Sequence, residues 1–124
     1  MSKQCIATQN APAAIGPYSQ AVSTGNSLFV SGQLPADLSG NLLSDIREAT
    51  KCCLTNIKTI AEASGFSMSD AVKLSIFMTD LNDFAAMNEA YAAFFPENPP
   101  ARFCVQVAAL PKGAVIEIDA VLAK

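Results

Sequence analysis

The residues of this chain best suited to chemistry gather near its end, in PPARFCVQVAALPKGAVIEIDAVL from Pro99 to Leu122. Phe103, Val105 and Val107 alternate there with Arg102, Cys104 and Gln106. Ile116, Ile118, Ala120 and Leu122 alternate with Val115, Glu117, Asp119 and Val121. Successive side chains on a strand point to opposite faces, so the pattern predicts two strands, each with one apolar and one mixed face. The short link between them predicts a shared sheet, with Arg102, Cys104 and Glu117 together on the side away from the core. Ser31, from an earlier strand, is expected to join them. A guanidinium can grip a planar carboxylate through two parallel hydrogen bonds. A glutamate can orient or deprotonate a water, and backbone N–H groups near Gly32 and Cys104 can add donors. Such a set suits undemanding chemistry on a small carboxylate-bearing molecule. Pattern alone leaves a solvated strand face with an ion pair equally open.

What the sequence lacks narrows the chemistry. There is no histidine, which removes Ser-His-Asp and Cys-His catalysis. The four cysteines, Cys5, Cys52, Cys53 and Cys104, show no CxxC spacing. Neither a zinc site nor a disulfide framework is expected. Neither GxG spacing nor a phosphate loop is present, so no cofactor and no metal are expected. Cys104 has two readings. As a nucleophile it would need a lowered thiol pKa, which Arg102 two residues away would favour. No base partner is in view, and the reading as a pocket wall is preferred.

These side chains need a scaffold. Cys5 to Ala7 reads as a short strand or extended arm, followed by a loop and the turn-rich Ile15-Gly16-Pro17-Tyr18-Ser19. A tyrosine such as Tyr18 is more often a packing residue than a functional one, and its place beside a Gly-Pro turn leaves either role open. Gln20–Thr24 and Leu28–Gly32 read as strands joined by a Gly25-Asn26-Ser27 turn, and 34–43 as a loop. From Ser44 the period becomes helical, with Ile46, Ala49, Cys53, Ile57, Ile60, Ala61 and Ser64 on one stripe. Ser44 or Asp45 can cap this helix of about five turns, and Gly65 can stop it. Cys53 lies on the stripe as a small hydrophobe, whereas Cys52 lies off it without an evident role. Val72, Leu74, Ile76 and Met78 form the apolar face of another strand. Asp80 or Asn82 opens a second helix with Phe84, Met87, Tyr91 and Phe94 as its buried stripe. Asn88, beside that stripe, is of a type that usually serves as a structural hydrogen-bonder. Pro96 ends the helix.

Strands, helix, strand, helix and two strands make an α+β domain spanning 1–124, with a mixed sheet and both helices on one face. The other face is expected to carry Phe29, Ser31, Phe77, Arg102, Cys104, Val115, Glu117 and Val121. That is too apolar to leave in water, and a symmetric oligomer is the simplest cover. The composition is 51% hydrophobic and 15% charged, which excludes disorder. A net charge of −3 without a basic run argues against nucleic acid as the main partner. No apolar run approaches a membrane span and the N-terminus lacks a signal-peptide core, so a cytoplasmic protein is expected.

Three segments, in order, resemble one family. They are IGPYSQAV from Ile15 with LFVSGQLP from Leu28, then DLNDFAAMNEAYAAFF from Asp80, then PARFCVQVAALPKGAVIEIDAV from Pro100. The chain is identified by them as a member of the reactive intermediate deaminase (RidA/YjgF) family, with similarity over nearly its whole length. The resemblance implies a chorismate-mutase-like (YjgF-like) fold and a homotrimer with active sites in the clefts between subunits. It implies hydrolysis of 2-iminopropanoate and 2-iminobutanoate to 2-keto acids and ammonia, without a cofactor. Residue by residue, Arg102 matches the arginine that holds the substrate carboxylate, and Glu117 the acid that places the water. Cys104 matches a cysteine whose backbone contacts the ligand. Tyr18, Ser31, Gly32 and Asn88 match the remaining pocket positions. The 95–102 loop looks shorter than in many relatives, which leaves substrate preference less determined than reaction type. Other readings are a non-catalytic 2-keto acid binding or regulatory protein, an RNA-directed ribonuclease or translation inhibitor, and a redox-responsive chaperone surface.

Overall fold

The computed structural model describes residues 2–124. Six strands form one sheet: β1 (Gln4–Ile6), β2 (Ala21–Thr24), β3 (Ser27–Gln33), β4 (Ala71–Met78), β5 (Ala101–Gln106) and β6 (Ile116–Ala123), in the order β1-β2-β3-β6-β4-β5. Only β4 and β5 run parallel; the other pairs are antiparallel. A parallel pair needs a long crossover, and here the chain makes it through α2 (Phe84–Ala92). Helix α1 (Ile46–Ala63) packs on β3, β6 and α2.

Helix α1 follows its local signals. The Asp45 carboxylate accepts a hydrogen bond from the Glu48 N–H at 3.1 Å and so caps one of the free donors of the first turn. At the other end Gly65 takes φ +82°. There the Gly65 N–H donates to the Glu62 carbonyl and the Phe66 N–H to the Ala61 carbonyl, closing the last turn. The apolar stripe of α1 delivers Ala49, Cys53, Leu54, Ile57, Ile60 and Ala61 to the core, all at 0% exposure. Opposite them the sheet contributes Leu28, Val30, Leu74, Ile76, Met78, Ile116, Ile118 and Leu122.

Four sequence-based expectations are corrected. First, β5 and β6 are not neighbours, because β4 lies between them. Second, the faces of β5 are inverted. Register pairs Arg102 with Leu74 and Cys104 with Ile76, so both lie on the helix-covered face, while Phe103 and Val105 are each 41% exposed on the open one. Both faces of β5 carry apolar groups, so alternation gave the strand but not its phase. Third, Val72 is exposed, since the β4–β6 register shifts between Ala71 and Lys73 and Ala71 takes the buried position. Fourth, α2 buries Met87, Ala90 and Tyr91, whereas Phe84 is exposed and Phe94 only partly buried; Phe95 beyond the helix is the buried one.

Phe29, Phe77 and Val121 lie on the open face as expected and are joined there by Phe103 and Val105, whereas Val115, also expected there, precedes β6 and packs against the core. Phe77 and Phe103 meet edge to face with ring centroids 5.7 Å apart. No described helix is long and apolar enough to cross a membrane.

The cap of α1 gives a direct check. Asp45→Ala should lower unfolding stability by about 1 kcal/mol, read as an earlier urea midpoint with an unchanged slope.

Candidate functional site

The polar groups predicted from sequence fall into two clusters on opposite faces of the sheet. The first surrounds Glu117. On β6 this residue pairs with Phe77, so it stands on the open face. Beside it β3 bulges: three steps from Val30 to Gln33 face two from Ala120 to Ile118, with Ser31 and Gly32 in the irregular stretch. Gly32 is where Glu117 comes closest. A Cβ on Gly32 would lie 2.5 Å from Glu117 Oε2 and 3.0 Å from its Cδ, so any larger residue would push the carboxylate aside. Glu117 borders a hollow of about 300 Å³ with Ile15, Tyr18, Ser31, Gly32 and Leu34. Its carboxyl pKa is raised, first by burial and then by the nearby Asp119 charge.

Ser31 does not offer a free hydroxyl. Its Oγ donates to the Ser19 carbonyl at 2.6 Å and its N–H to the Gln20 carbonyl at 2.9 Å. These bonds tie the Tyr18 segment to β3. Tyr18 is about half exposed, and its hydroxyl accepts from the Ile15 N–H at 3.2 Å. The segment is thus folded on itself over the hollow, with Tyr18 as one wall.

The second cluster surrounds Arg102 on the covered face at the β5 edge. One Arg102 Nη1 hydrogen donates to Asn88 Oδ1 at 2.8 Å. The guanidinium carbon lies 4.8 Å from the Tyr91 ring centroid and 5.7 Å from that of Phe84. No carboxylate pairs with Arg102 among the described residues; the ion pairs found there are Arg47–Glu89 and Lys51–Glu48. Asn88 is therefore an arginine-holding group and not merely a helix-surface amide. The Cys104 thiol donates to Met78 Sδ at 3.5 Å. Burial pushes its pKa up, and Arg102 offsets this only in part. A thiol turned toward the core with a raised pKa is poorly placed to act as a nucleophile.

The structure thus joins Tyr18, Ser31, Gly32 and Glu117 in one cluster and Asn88, Arg102 and Cys104 in another. It does not place Arg102 beside Glu117, as two strands sharing a mixed face had led us to expect. Phe84, Tyr91, Met78, Ile15 and Leu34 were not among the candidate site residues. The spacing of Phe84, Asn88 and Tyr91, four and then three residues apart, was a usable signal for a common helix face.

Residues 8–124 match the family model described as Endoribonuclease L-PSP. The 2-iminobutanoate/2-iminopropanoate deaminase of Escherichia coli strain K12 is 50% identical over 125 residues, covering 98% of this chain and 97% of that protein. The crystal structure of RidA from the Antarctic bacterium Psychrobacter sp. PAMC 21119 superposes with a TM-score of 0.95 at 48% identity, over 98% of this chain and 99% of that one. That of E. coli TdcF with bound serine gives 0.94 at 44% identity, over 98% of each chain. By sequence along its whole length and by fold, the chain belongs to the Endoribonuclease L-PSP family, the RidA/YjgF family of reactive intermediate deaminases.

Proposed function

We propose that this chain hydrolyses 2-imino acids such as 2-iminopropanoate and 2-iminobutanoate to 2-keto acids and ammonia. In this reading Arg102 holds the substrate carboxylate and Glu117 serves the water. The observation that carries it is the state of Arg102: anchored by Asn88 and lacking any carboxylate partner among the described residues. A fixed, unpaired guanidinium at a sheet edge is ready to take a bidentate anion. A relative known with bound serine, a small α-amino acid, agrees with a ligand of this size.

The reaction asks little more of the protein. A protonated imine carbon is already electrophilic. Water adds to it as Glu117 accepts a proton, giving a carbinolamine. Glu117 then returns the proton to nitrogen, the C–N bond breaks, and the hydroxyl proton passes to the departing ammonia, leaving the keto acid and ammonium. A carboxyl whose pKa is raised by burial suits a group that must both take and give a proton. Cys104 and Gly32 contribute walls and backbone in this reading, and Tyr18 and Ser31 shape the water's side of the pocket.

Because Arg102 and Glu117 stand on opposite faces of one sheet, the reading requires two chains per site. The apolar open face supplies the means of association, and a cyclic homotrimer would place the Arg102 edge of one subunit against the Glu117 hollow of the next. RNA cleavage, the activity in the family's description, is not favoured: a chain of net charge −3 without a basic run offers phosphates little.

Three outcomes test this. With a serine or threonine dehydratase generating the imine and semicarbazide as a competing trap, the protein should speed keto-acid release. Arg102→Ala should reduce kcat/KM by about two orders of magnitude, and Cys104→Ala should keep most of it; loss of turnover in Cys104→Ala with an intact oligomer would reverse the roles. Wild-type activity should fall as pH drops through the raised Glu117 pKa. Glu117→Gln should be slow and lack that limb while still binding a 2-keto acid; full activity in this variant would leave a ligand-binding role for the carboxylate at most. Finally, inactive Arg102→Ala and Glu117→Gln chains, unfolded together and refolded one to one, should recover about a quarter of wild-type activity. That is the share of sites in random cyclic trimers with both residues intact. A site built within one chain would recover none.

A further inference from the structure

A guanidinium on a long, flexible side chain binds a carboxylate well only if its orientation is set beforehand. Here α2 sets it. Phe84, Asn88 and Tyr91 lie along one face of the helix, and all three meet the Arg102 guanidinium. Asn88 fixes one nitrogen. Tyr91 is the closer of the two rings and the more buried, at 6% exposure against 40% for Phe84. The Tyr91 ring also packs against Phe95, with ring centroids 4.9 Å apart. The Tyr91 hydroxyl is buried and finds no hydrogen-bond partner among the described residues. An unpaired buried hydroxyl costs stability, so what the neighbours use is the ring. We propose that Tyr91 is a positioning residue for substrate binding: its π face and the Asn88 amide together hold the Arg102 guanidinium in one orientation, leaving its free donors for the carboxylate. This rests on the reading of Arg102 as the carboxylate anchor.

A core tyrosine that merely fills space behaves differently from one that orients a cation, and side-chain chemistry separates them. Tyr91→Leu keeps apolar bulk and removes the π face. It should weaken pyruvate binding and raise KM by about 3–20-fold, with kcat changed less than about twofold. Tyr91→Phe keeps the face and should stay within about twofold of wild type on both. Arg102→Ala/Tyr91→Leu should bind pyruvate no more weakly than Arg102→Ala alone, because the ring acts only through the arginine. In the ligand-free protein, ¹⁵N relaxation should find the Arg102 Nε–H rigid in wild type and Tyr91→Phe, and mobile in Tyr91→Leu. Should Tyr91→Leu fail to fold, Phe84→Leu, at an exposed position, should show the same mobility with a smaller loss of affinity.

The proposal is overturned if Tyr91→Phe loses as much as Tyr91→Leu, if the double variant multiplies the two losses, or if the Arg102 Nε–H stays equally rigid without the ring. The relaxation measurement needs no substrate. If wild type neither binds pyruvate nor turns over imine, yet removing the ring frees Arg102, the deaminase reading fails and the cradle stands.

Discussion

A strand can show a side chain to only one of two faces, and ladder pairing makes that choice for all neighbours together. Strand β4 is the reference for both Arg102 and Glu117. Leu74 and Ile76 face the helices, so their β5 partners Arg102 and Cys104 do as well. Phe77 faces the open side, and so does its β6 partner Glu117. The separation of guanidinium and carboxylate is therefore fixed by register, and no side-chain rotation reverses it. In the proposed reaction, which uses both groups, the apolar sheet face would be the means of recruiting a second chain.

The two clusters are built by different means, each suited to its charge. The carboxylate needs room and partial burial without a partner. The β3 bulge and the missing side chain of Gly32 give it a seat, and burial beside Asp119 keeps its pKa high. For the guanidinium the structure works on direction instead. Its apolar stem lies along the covered face and its head rests on aromatic rings at the edge of the sheet. Proton affinity is tuned on one side of the sheet and orientation on the other.

The sequence was informative where one local rule decided the outcome. Asp45 and Gly65 mark α1, its apolar stripe is unambiguous, and β6 alternates cleanly between Ile and charged or small residues. The hairpin at Gly25-Asn26 pairs as its turn residues imply. It was less informative where a residue serves two partners. Phe103 and Val105 looked like core because they are apolar, and Arg102 looked solvated because it is charged. Yet the open face of the sheet carries the former, and a helix lined with Phe84, Asn88 and Tyr91 accepts the latter. The short link between β5 and β6 implied adjacency, and only the insertion of β4 through a parallel crossover undoes it. The Gly32–Glu117 approach depends on a long-range register with a bulge, which no window of local sequence contains. Family resemblance named both residues without conveying that one excludes a side chain to seat the other.

Folding and function share one surface in this arrangement. Phe29, Phe77, Phe103 and Val105 leave a single chain with apolar area in water, and in the proposed trimer covering it would bring the edge of one sheet to the hollow of the next. Catalysis then needs no separate device for closing an active site. On the proposed reading neither cluster suffices alone, since Arg102 would hold the substrate and Glu117 would serve the water from different chains. Two incomplete halves are harmless in a single chain, and association completes both at once.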